Sequence, residues 1–425
     1  MAMIKKKQEI LELTRETLES SSIHAIPNIT RNKFNEVKSI WIVCFIVSSG
    51  WCAFFMMRSL NDFFSYDVTS LYEINYVNKI EFPIVTICSL DSINSESLNL
   101  NISYQFETDY PQLEYKTLTH VKLNDLYTTN KIERATVNQT VISCKFGNKL
   151  CNLTQDFEYF YDFSYGQCFK FNSVGSNERK YVYQNGLSNG LIVELYVGSA
   201  DQNNNMFSIS QGMNIFLNNK SHFNSAYLEG INVSPGTTTK ISIEKISLKK
   251  EQKPYSECTA NLNSADSYPS ETYAKSFSPN RTYSYTDCSF VCFQKKINED
   301  CKCKVASLLG YNNDLRDCFS DTIDFSSVLN DFTCINNSVS SFFFSSDYVQ
   351  KCNCPIECEK TYFKWSSSIA EFPTLKYYHY LKNSTLIRTK YPNITYQELK
   401  KSVARVEIFY DELNETQIVQ KVKTK

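Results

Sequence analysis

Hydrophobic and polar positions divide the chain at the apolar run of residues 40–57. This run, IWIVCFIVSSGWCAFFMM, has 18 consecutive residues without a charge and lies between Lys38 and Arg58. That length is about the minimum for a helix that crosses the bilayer core. A buried core helix is the alternative, but Trp41, Trp51 and the lack of a polar face favour a transmembrane helix over residues 40–58.

The residues around this helix predict its orientation. Residues 1–38 intersperse polar and charged residues and contain no continuous apolar run, whereas a secretory signal peptide has a short apolar core close to its start. The helix is therefore expected to be an uncleaved anchor in the lipid bilayer. Arg31, Lys33 and Lys38 precede it, which favours a cytosolic N-terminus over residues 1–39. Residues 59–425 would then be extracellular, at the plasma membrane.

Strand patterns follow in two regions. IEFPIVTICSL, within residues 80–91, is apolar and β-branched, which is typical of a buried strand. LIVELYV and GMNIFL predict further strands, and Pro235-Gly236 predicts a turn before an alternating strand. Near the end, SVARVEIFYDEL alternates apolar and polar residues. The apolar residues predicted to share a strand face are Ile241, Ile243 and Ile246 in the first strand, and Val403, Val406, Ile408 and Tyr410 in the second.

The segments between these strands differ in character. Residues 92–165 show no clean period and are expected to form an irregular peripheral lobe. Residues 258–358 hold ten cysteines in 101 positions, with helix-compatible stretches such as SFVCFQKKINEDC. Two β regions that bracket a cysteine-rich helical one predict an α+β fold.

Composition excludes some classes of function. The chain has 44 Lys and Arg residues against 45 Asp and Glu residues. It therefore lacks the excess of basic residues that is typical of nucleic-acid-binding proteins. No HExxH, Gly-x-Ser-x-Gly or phosphate-binding glycine loop is present, so we expect no enzyme, no catalytic residue and no cofactor. The four histidines are His24, His120, His222 and His379.

Cysteines account for 16 residues, and 14 of them follow the membrane helix. Dense cysteines serve metal ligation, thiol redox chemistry or disulfide formation. The spacing of Cys352, Cys354 and Cys358 would also allow zinc ligation. An oxidising compartment and the lack of a CxxC pair favour disulfides, so no metal is expected.

Asn-x-Ser/Thr sequons support the extracellular assignment. Asn28 forms one on the cytosolic side and should remain bare. The ten sequons beyond the membrane helix are Asn101, Asn138, Asn152, Asn219, Asn232, Asn280, Asn336, Asn383, Asn393 and Asn414.

In order and over nearly the whole chain, the motifs resemble the degenerin/epithelial sodium channel family, which includes the acid-sensing channels. SSIHAIPNI is similar to the family's cytosolic His-Gly element, although Ala25 follows His24 here. The cysteine pattern carries the resemblance furthest. The matching stretches are FFSYDVTS, FPIVTICSL, GQCFKFN, GMNIFL, SPGTTTKISI, PYSEC, YSYTDCSFVC, CKC and CNCPIECEKTYFKWSSSIAEFP.

The resemblance implies a hand-like α+β ectodomain in a homo- or heterotrimer around a pore for sodium ions. Palm strands would lie at about 80–91 and 360–416. The finger, knuckle and β-ball would occupy about 92–255, and a cysteine-rich thumb 256–358. Gating would move the palm and thumb against the membrane helices. The sequence does not distinguish among four modes of opening: by protons, by peptides, by mechanical tethering, or constitutively.

A full disulfide pairing is also implied by the resemblance. Cys288 and Cys292 would share a helical face and Cys352 and Cys354 a strand face, so that three nested bonds form a ladder. The implied pairs are Cys88–Cys168, Cys144–Cys151, Cys258–Cys358, Cys288–Cys354, Cys292–Cys352, Cys301–Cys334 and Cys303–Cys318.

Candidate gating residues follow from the same resemblance. Tyr255 in PYSEC, and Phe64 or Tyr66 above the membrane helix, would couple ectodomain and pore, or would be ordinary interfacial aromatics. His24 with Ala25 would influence opening from the cytosol, or His24 would be a solvated residue in a mobile tail. Four acidic residues would attract cations near the outer mouth, or form a solvated face. They are Glu407, Asp411, Glu412 and Glu415.

Channels of this family need a second membrane helix, which carries the selectivity filter. No segment after Arg58 approaches 18 apolar residues, so the sequence is expected to be truncated before that helix. A single-span, cysteine-rich receptor or adhesion ectodomain is the alternative class. A non-conducting regulatory fragment is another.

Overall fold

A computed structural model provides the fold. It describes residues 2–23, 25–90, 136–162, 165–173, 179–198, 210–219, 230–277, 283–305, 314–316, 318, 325–343 and 351–423. His24 and the sequons Asn101 and Asn280 lie outside these residues. Two compact units emerge, one of residues 1–69 with 422–425 and one of residues 70–421.

Helices make up most of the smaller unit and parts of the larger unit. Those described are α1 (Ala2–Glu19), α2 (Ala25–Arg31), α3 (Asn35–Phe64), α4 (Val137–Thr140), α5 (Leu153–Asp156), α6 (Glu271–Ser276), α7 (Tyr285–Cys301), α8 (Phe325–Phe343), α9 (Leu375–Lys382), α10 (Thr385–Lys390) and α11 (Tyr396–Ser402).

Strands make up the centre of the larger unit. They are β1 (Val68–Tyr76), β2 (Ile80–Glu81), β3 (Ile84–Ser89), β4 (Val141–Phe146), β5 (Lys149–Leu150), β6 (Phe157–Asp162), β7 (Gly166–Phe171), β8 (Tyr181–Val182), β9 (Leu191–Tyr196), β10 (Met213–Asn218), β11 (Ile231–Val233), β12 (Thr237–Lys249), β13 (Cys258–Thr259), β14 (Ile356–Glu357), β15 (Glu359–Glu371) and β16 (Val403–Val422).

Helix α3 contains the predicted membrane segment and is longer than the predicted 40–58. It has 30 residues, none of them buried by protein. Within the part of the chain that the structure describes, α3 is the one helix long and apolar enough to cross a membrane. The hydropathy pattern locates its apolar centre but not its ends, because polar and aromatic residues continue the helix on both sides.

Two sheets pack face to face in the larger unit. The main sheet has the order β15-β12-β16-β9-β4-β5, and β1 pairs with β16. The second has the order β11-β10-β3-β7-β6. Ile241 and Ile408 from the main sheet share one core with Val85 and Ile215 from the second. Most residues of the predicted alternation in β12 and β16 point into this core, namely Ile241, Ile243, Val406, Ile408 and Tyr410. Val403 does not, because it packs on the other side of the sheet against a separate helical core.

The predicted turn between β11 and β12 is present. Gly236 has a φ of 76°, a left-handed conformation that glycine adopts without steric cost. Its N–H donates to the carbonyl of Val403 at 2.8 Å. This turn fixes the start of β12 beside the start of β16.

Two expectations about regular structure are wrong. Residues 360–416 are not strand throughout, because α9, α10 and α11 lie between β15 and β16. These helices form a small core of their own against the main sheet, in which Leu381 and Leu399 pack with Val403. The part of the expected irregular lobe that is described, residues 136–162, holds β4, β5 and β6.

Candidate functional site

Seven disulfides join the described cysteines of the larger unit. They are the pairs that the resemblance implies: Cys88–Cys168, Cys144–Cys151, Cys258–Cys358, Cys288–Cys354, Cys292–Cys352, Cys301–Cys334 and Cys303–Cys318. Cys44 and Cys52 in α3 are free thiols.

The nested disulfides join α7 to a returning segment, residues 352–358. Cys288 and Cys292 lie one turn apart on α7, as expected. Cys352 and Cys354 are not on a strand face, because β14 begins only at Ile356. Asn353 between them has a φ of 49°, which bends the backbone.

Hydrogen bonds fix this bend. The Asn353 amide donates to the carbonyl of Pro269 at 3.3 Å and accepts from the Tyr268 hydroxyl at 3.1 Å. Asparagine is one of the few residues that tolerate the left-handed region, and these two bonds favour it here. Spacing alone predicted a strand, since it contains no information about these partners.

The returning segment also contacts the start of α7. The Glu357 carboxylate accepts from the Tyr285 N–H at 3.0 Å, where a negative charge complements the helix dipole. The Tyr283 hydroxyl donates to the carbonyl of Pro355 at 2.8 Å. Burial raises the pKa of Tyr283, so its hydroxyl stays protonated as a donor. The segment is thus held by disulfides and by polar bonds.

The end of the returning segment at Cys358 connects the nested disulfides to the main sheet. Cys258–Cys358 is the outermost of these disulfides and forms their base, and β13 pairs with β14 in parallel. The Lys250 N–H donates to the carbonyl of Cys358 at 2.9 Å. Because β12 ends at Lys249 and β15 begins at Glu359, the disulfide-linked base continues directly into two paired strands of the main sheet.

Tyr255 lies in the turn between β12 and β13. It is half-buried, and its N–H donates to the carbonyl of Gln252 at 3.1 Å. Lys253 and Glu257 form an exposed ion pair at 2.9 Å across the same turn.

Two of the gating candidates, Phe64 and Tyr66, lie close together at the end of α3. Phe64 is the last residue of α3 and is 61% exposed, and its ring centroid lies 6.5 Å from that of Tyr66. Tyr66 has a φ of 51°, unusual for a bulky residue. Ala25 is the first residue of α2, a helical position that alanine favours.

The four acidic candidates do not form one solvated face. Glu407 is only 4% exposed, which contradicts that interpretation for this residue. Glu415 accepts from Ser247 at 2.7 Å and pairs with Lys245 at 3.1 Å. Asp411 and Glu412 are exposed. With Glu244, Lys364 and Trp365 they line a surface cleft of about 380 Å³.

Glu407 belongs to a buried polar cluster that sequence reasoning missed. The Arg405 guanidinium donates to Glu407 and to Glu194, both at 2.8 Å. Glu194 also accepts from the hydroxyls of Tyr377 and Ser143, both at 2.7 Å. A charge inside each apolar run, LIVELYV and SVARVEI, was the available signal.

The sequons differ in exposure. Asn219 is half-buried, and Asn414 is only 9% exposed. Asn336 lies in α8. The exposed sequon asparagines are Asn138, Asn152, Asn232, Asn383 and Asn393. In the described ranges, no group of three His, Cys, Asp or Glu residues could hold a metal ion.

One apolar helix long enough to cross a membrane thus precedes a large, disulfide-linked α+β unit among the described residues. A family model described as amiloride-sensitive sodium channel matches residues 17–425. The chain therefore belongs to the amiloride-sensitive sodium channel family. This is a family of membrane channels, not of enzymes.

Relatives agree with this assignment. The bile acid-sensitive ion channel of Mus musculus is 23% identical over 431 residues, covering 93% of this chain and 77% of the relative. Acid-sensing ion channel 1 of Gallus gallus is 22% identical, covering 95% and 76%. The degenerin-like protein asic-2 of Caenorhabditis elegans is 25% identical, covering 84% and 69%.

Proposed function

We propose that the chain is a subunit of a homo- or heterotrimeric sodium channel of the plasma membrane. Residues 1–39 are cytosolic, α3 spans the bilayer, and residues 59–425 form the extracellular gate. Within that gate, residues 256–358 act as the thumb, and β3, β12, β15 and β16 belong to the palm.

A continuous mechanical connection carries this proposal. Disulfides join α7 to the returning segment, which continues into β15. β15 pairs with β12 over 13 residue pairs, and β12 pairs with β16. β1 pairs with β16, and residues 65–67 alone join β1 to α3. Hydrogen-bonded strands stretch little, so a displacement of the thumb is passed toward the membrane helix.

The aromatic residues at the two ends of this connection are the proposed coupling contacts. Tyr255 would move with the thumb base, and Phe64 and Tyr66 with α3. His24 and Ala25 would influence opening from the cytosolic side. The acidic cleft with Asp411 and Glu412 would raise the local sodium concentration.

The stimulus is proposed from the chemistry named for the relatives. Bile acid, acid and the peptide FMRFamide appear in the names of similar channels. An acid step, a bile acid and an RFamide peptide are therefore the first three stimuli to apply.

Subunit counting tests the assembly. The full gene product, fused to a fluorescent protein, would be counted at the cell surface by single-molecule photobleaching while each stimulus is applied under voltage clamp. Three bleaching steps per spot and a stimulus-evoked inward sodium current are expected. Single bleaching steps without current would overturn the proposal and favour a single-span receptor.

A further inference from the structure

Helix α1 exposes an apolar face that no described residue covers. Ile10, Leu11, Leu13 and Leu18 are 59%, 68%, 67% and 38% exposed. At about 100° per residue these side chains fall within roughly 160° of the helix circumference, a sector that also holds Lys6 and Lys7 in the N-terminal part of the helix. The acidic residues of the helix fall on the opposite side. They are Glu9, Glu12, Glu16 and Glu19.

Two threonines on the apolar side have their hydroxyls satisfied within the helix. Thr14 donates to the carbonyl of Ile10 at 2.5 Å, and Thr17 to that of Leu13 at 2.7 Å. Such a bond to the preceding turn leaves the methyl group as the outward surface. The face therefore presents no unsatisfied hydroxyl to an apolar environment.

Helix α1 is tied to the membrane helix. The Arg31 guanidinium of α2 donates to the carbonyl of Glu19 at 2.7 Å, at the end of α1. α2 packs against both α1 and α3. Only residues 20–34 separate α1 from α3, so the apolar face stays near the bilayer that α3 crosses.

Charge shows which force would hold α1 on that bilayer. The helix has four basic residues and four acidic ones, a net charge of zero. Attraction to anionic lipids is therefore not the driving term, and burial of apolar side chains is. The basic residues are Lys5, Lys6, Lys7 and Arg15.

We propose that α1 lies in the bilayer interface beside α3. Ile10, Leu11, Leu13 and Leu18 enter the acyl boundary, and the glutamates face water. The partner is a lipid surface, zwitterionic or anionic, and not a second copy of the chain. The proposal holds whether or not the chain conducts sodium.

The test uses the full chain in phosphatidylcholine liposomes, with Cys44→Ser and Cys52→Ser to remove the free thiols. An environment-sensitive fluorophore is attached at Leu11→Cys and, as the matched control, at the neighbouring Glu12→Cys. Leu13→Cys provides a second apolar position. All three side chains are exposed, so labelling disturbs no packing. Iodide reports water access, and a doxyl-labelled lipid reports acyl contact.

We expect iodide quenching at positions 11 and 13 to be about five-fold weaker than at position 12, with the reverse order for the doxyl lipid. Anionic lipid and added salt should leave these ratios unchanged. Equal iodide quenching at positions 11 and 12 would overturn the proposal. If position 11 were shielded from both quenchers, and this shielding disappeared when the protein was diluted among more liposomes, the face would be covered by a second copy of the chain. That result would also overturn the proposal.

Discussion

Arg405 and Glu194 face each other across β16 and β9, with the guanidinium Nη1 2.8 Å from the carboxylate Oε1. Glu194 is 1% exposed and Glu407, the second partner of Arg405, is 4% exposed. The pair lies where α9 covers the sheet, since Tyr377 of α9 donates to the same carboxylate. It therefore connects helix α9 to strands β9 and β16 of the main sheet.

Replacing Arg405 with methionine should destabilise the larger unit by about 3 kcal/mol, because two buried carboxylates lose their counter-ion. Thermal unfolding of the detergent-solubilised chain, followed by circular dichroism, measures the loss. Lys400→Met is the matched control, since Lys400 pairs with the 87% exposed Glu371. An equal effect of the two variants would show that the cluster contributes nothing beyond a surface ion pair.

An isolated disulfide and a nested one are expected to differ in the stability that is lost on their removal. Replacing Cys88 and Cys168 with alanine opens a connection across 80 residues and should cost about 4 kcal/mol in loop-closure entropy. Replacing Cys288 and Cys354 should cost only about 2 kcal/mol, because two neighbouring disulfides still close that loop. Urea unfolding compares the two variants. A greater loss for the Cys288–Cys354 variant would contradict the ladder argument.

Tyr255→Ala should change the opening or closing time constant of the current by at least about twofold, since coupling residues typically contribute 0.5–2 kcal/mol. Voltage-clamp recording of the full gene product measures this. Tyr183→Ala is the control, because Tyr183 is a 62% exposed tyrosine outside the proposed connection. Unaltered kinetics in Tyr255→Ala would remove this residue from the gating proposal.

The environment of the Glu415 carboxyl leads us to expect a loss of folding stability in acid. Burial alone would raise the pKa of its carboxyl, but the Ser247 hydrogen bond and the Lys245 charge outweigh burial and lower it. A carboxyl whose pKa is lowered on folding stabilises the fold at pH values above its unfolded-state pKa of about 4.3. This stabilisation is lost as the pH falls through the folded-state pKa. Glu415→Gln should therefore lose less stability than the unmodified chain below about pH 4.5.

Because Glu415 is partly exposed, this effect should stay below about 1 kcal/mol. Melting temperatures measured from pH 7 to pH 3 would reveal it. If the melting temperatures of Glu415→Gln and of the unmodified chain fell in parallel with pH, the lowered pKa of Glu415 would be refuted.

Sequon exposure predicts which asparagines carry glycans. Asn393→Gln should remove one glycan, seen as one step of mobility that a peptide N-glycosidase also removes. Asn414→Gln should leave the mobility unchanged, because Asn414 is buried in β16 and donates to Glu412 at 2.8 Å. A mobility step for Asn414→Gln would show that this asparagine carries a glycan and would contradict its buried position in β16.

Sequence predicted the elements whose signal is local. The apolar centre of α3, the alternation of β12 and the helix α7 follow from hydrophobic periods within a few residues. The disulfide pairs came from the resemblance, since fourteen cysteines alone leave the pairing open.

Elements that depend on distant partners were missed. YYHYLK in α9 is rich in aromatic residues, which favour strands, yet Thr374 caps a helix there and Leu381 packs against the sheet. Thr395 and Glu398 did carry a readable capping box at the start of α11. The Arg405–Glu194 pair spans 211 residues, so only the strand register could reveal it.

Sodium selectivity tests the central claim most directly. The full gene product would be recorded at the surface of whole cells while extracellular sodium is replaced in steps by an impermeant cation, with and without amiloride. We predict an amiloride-sensitive current whose reversal potential follows the sodium equilibrium potential. A reversal potential indifferent to sodium, or surface protein silent to acid, bile acid and RFamide peptide alike, would contradict the assignment as a sodium channel subunit.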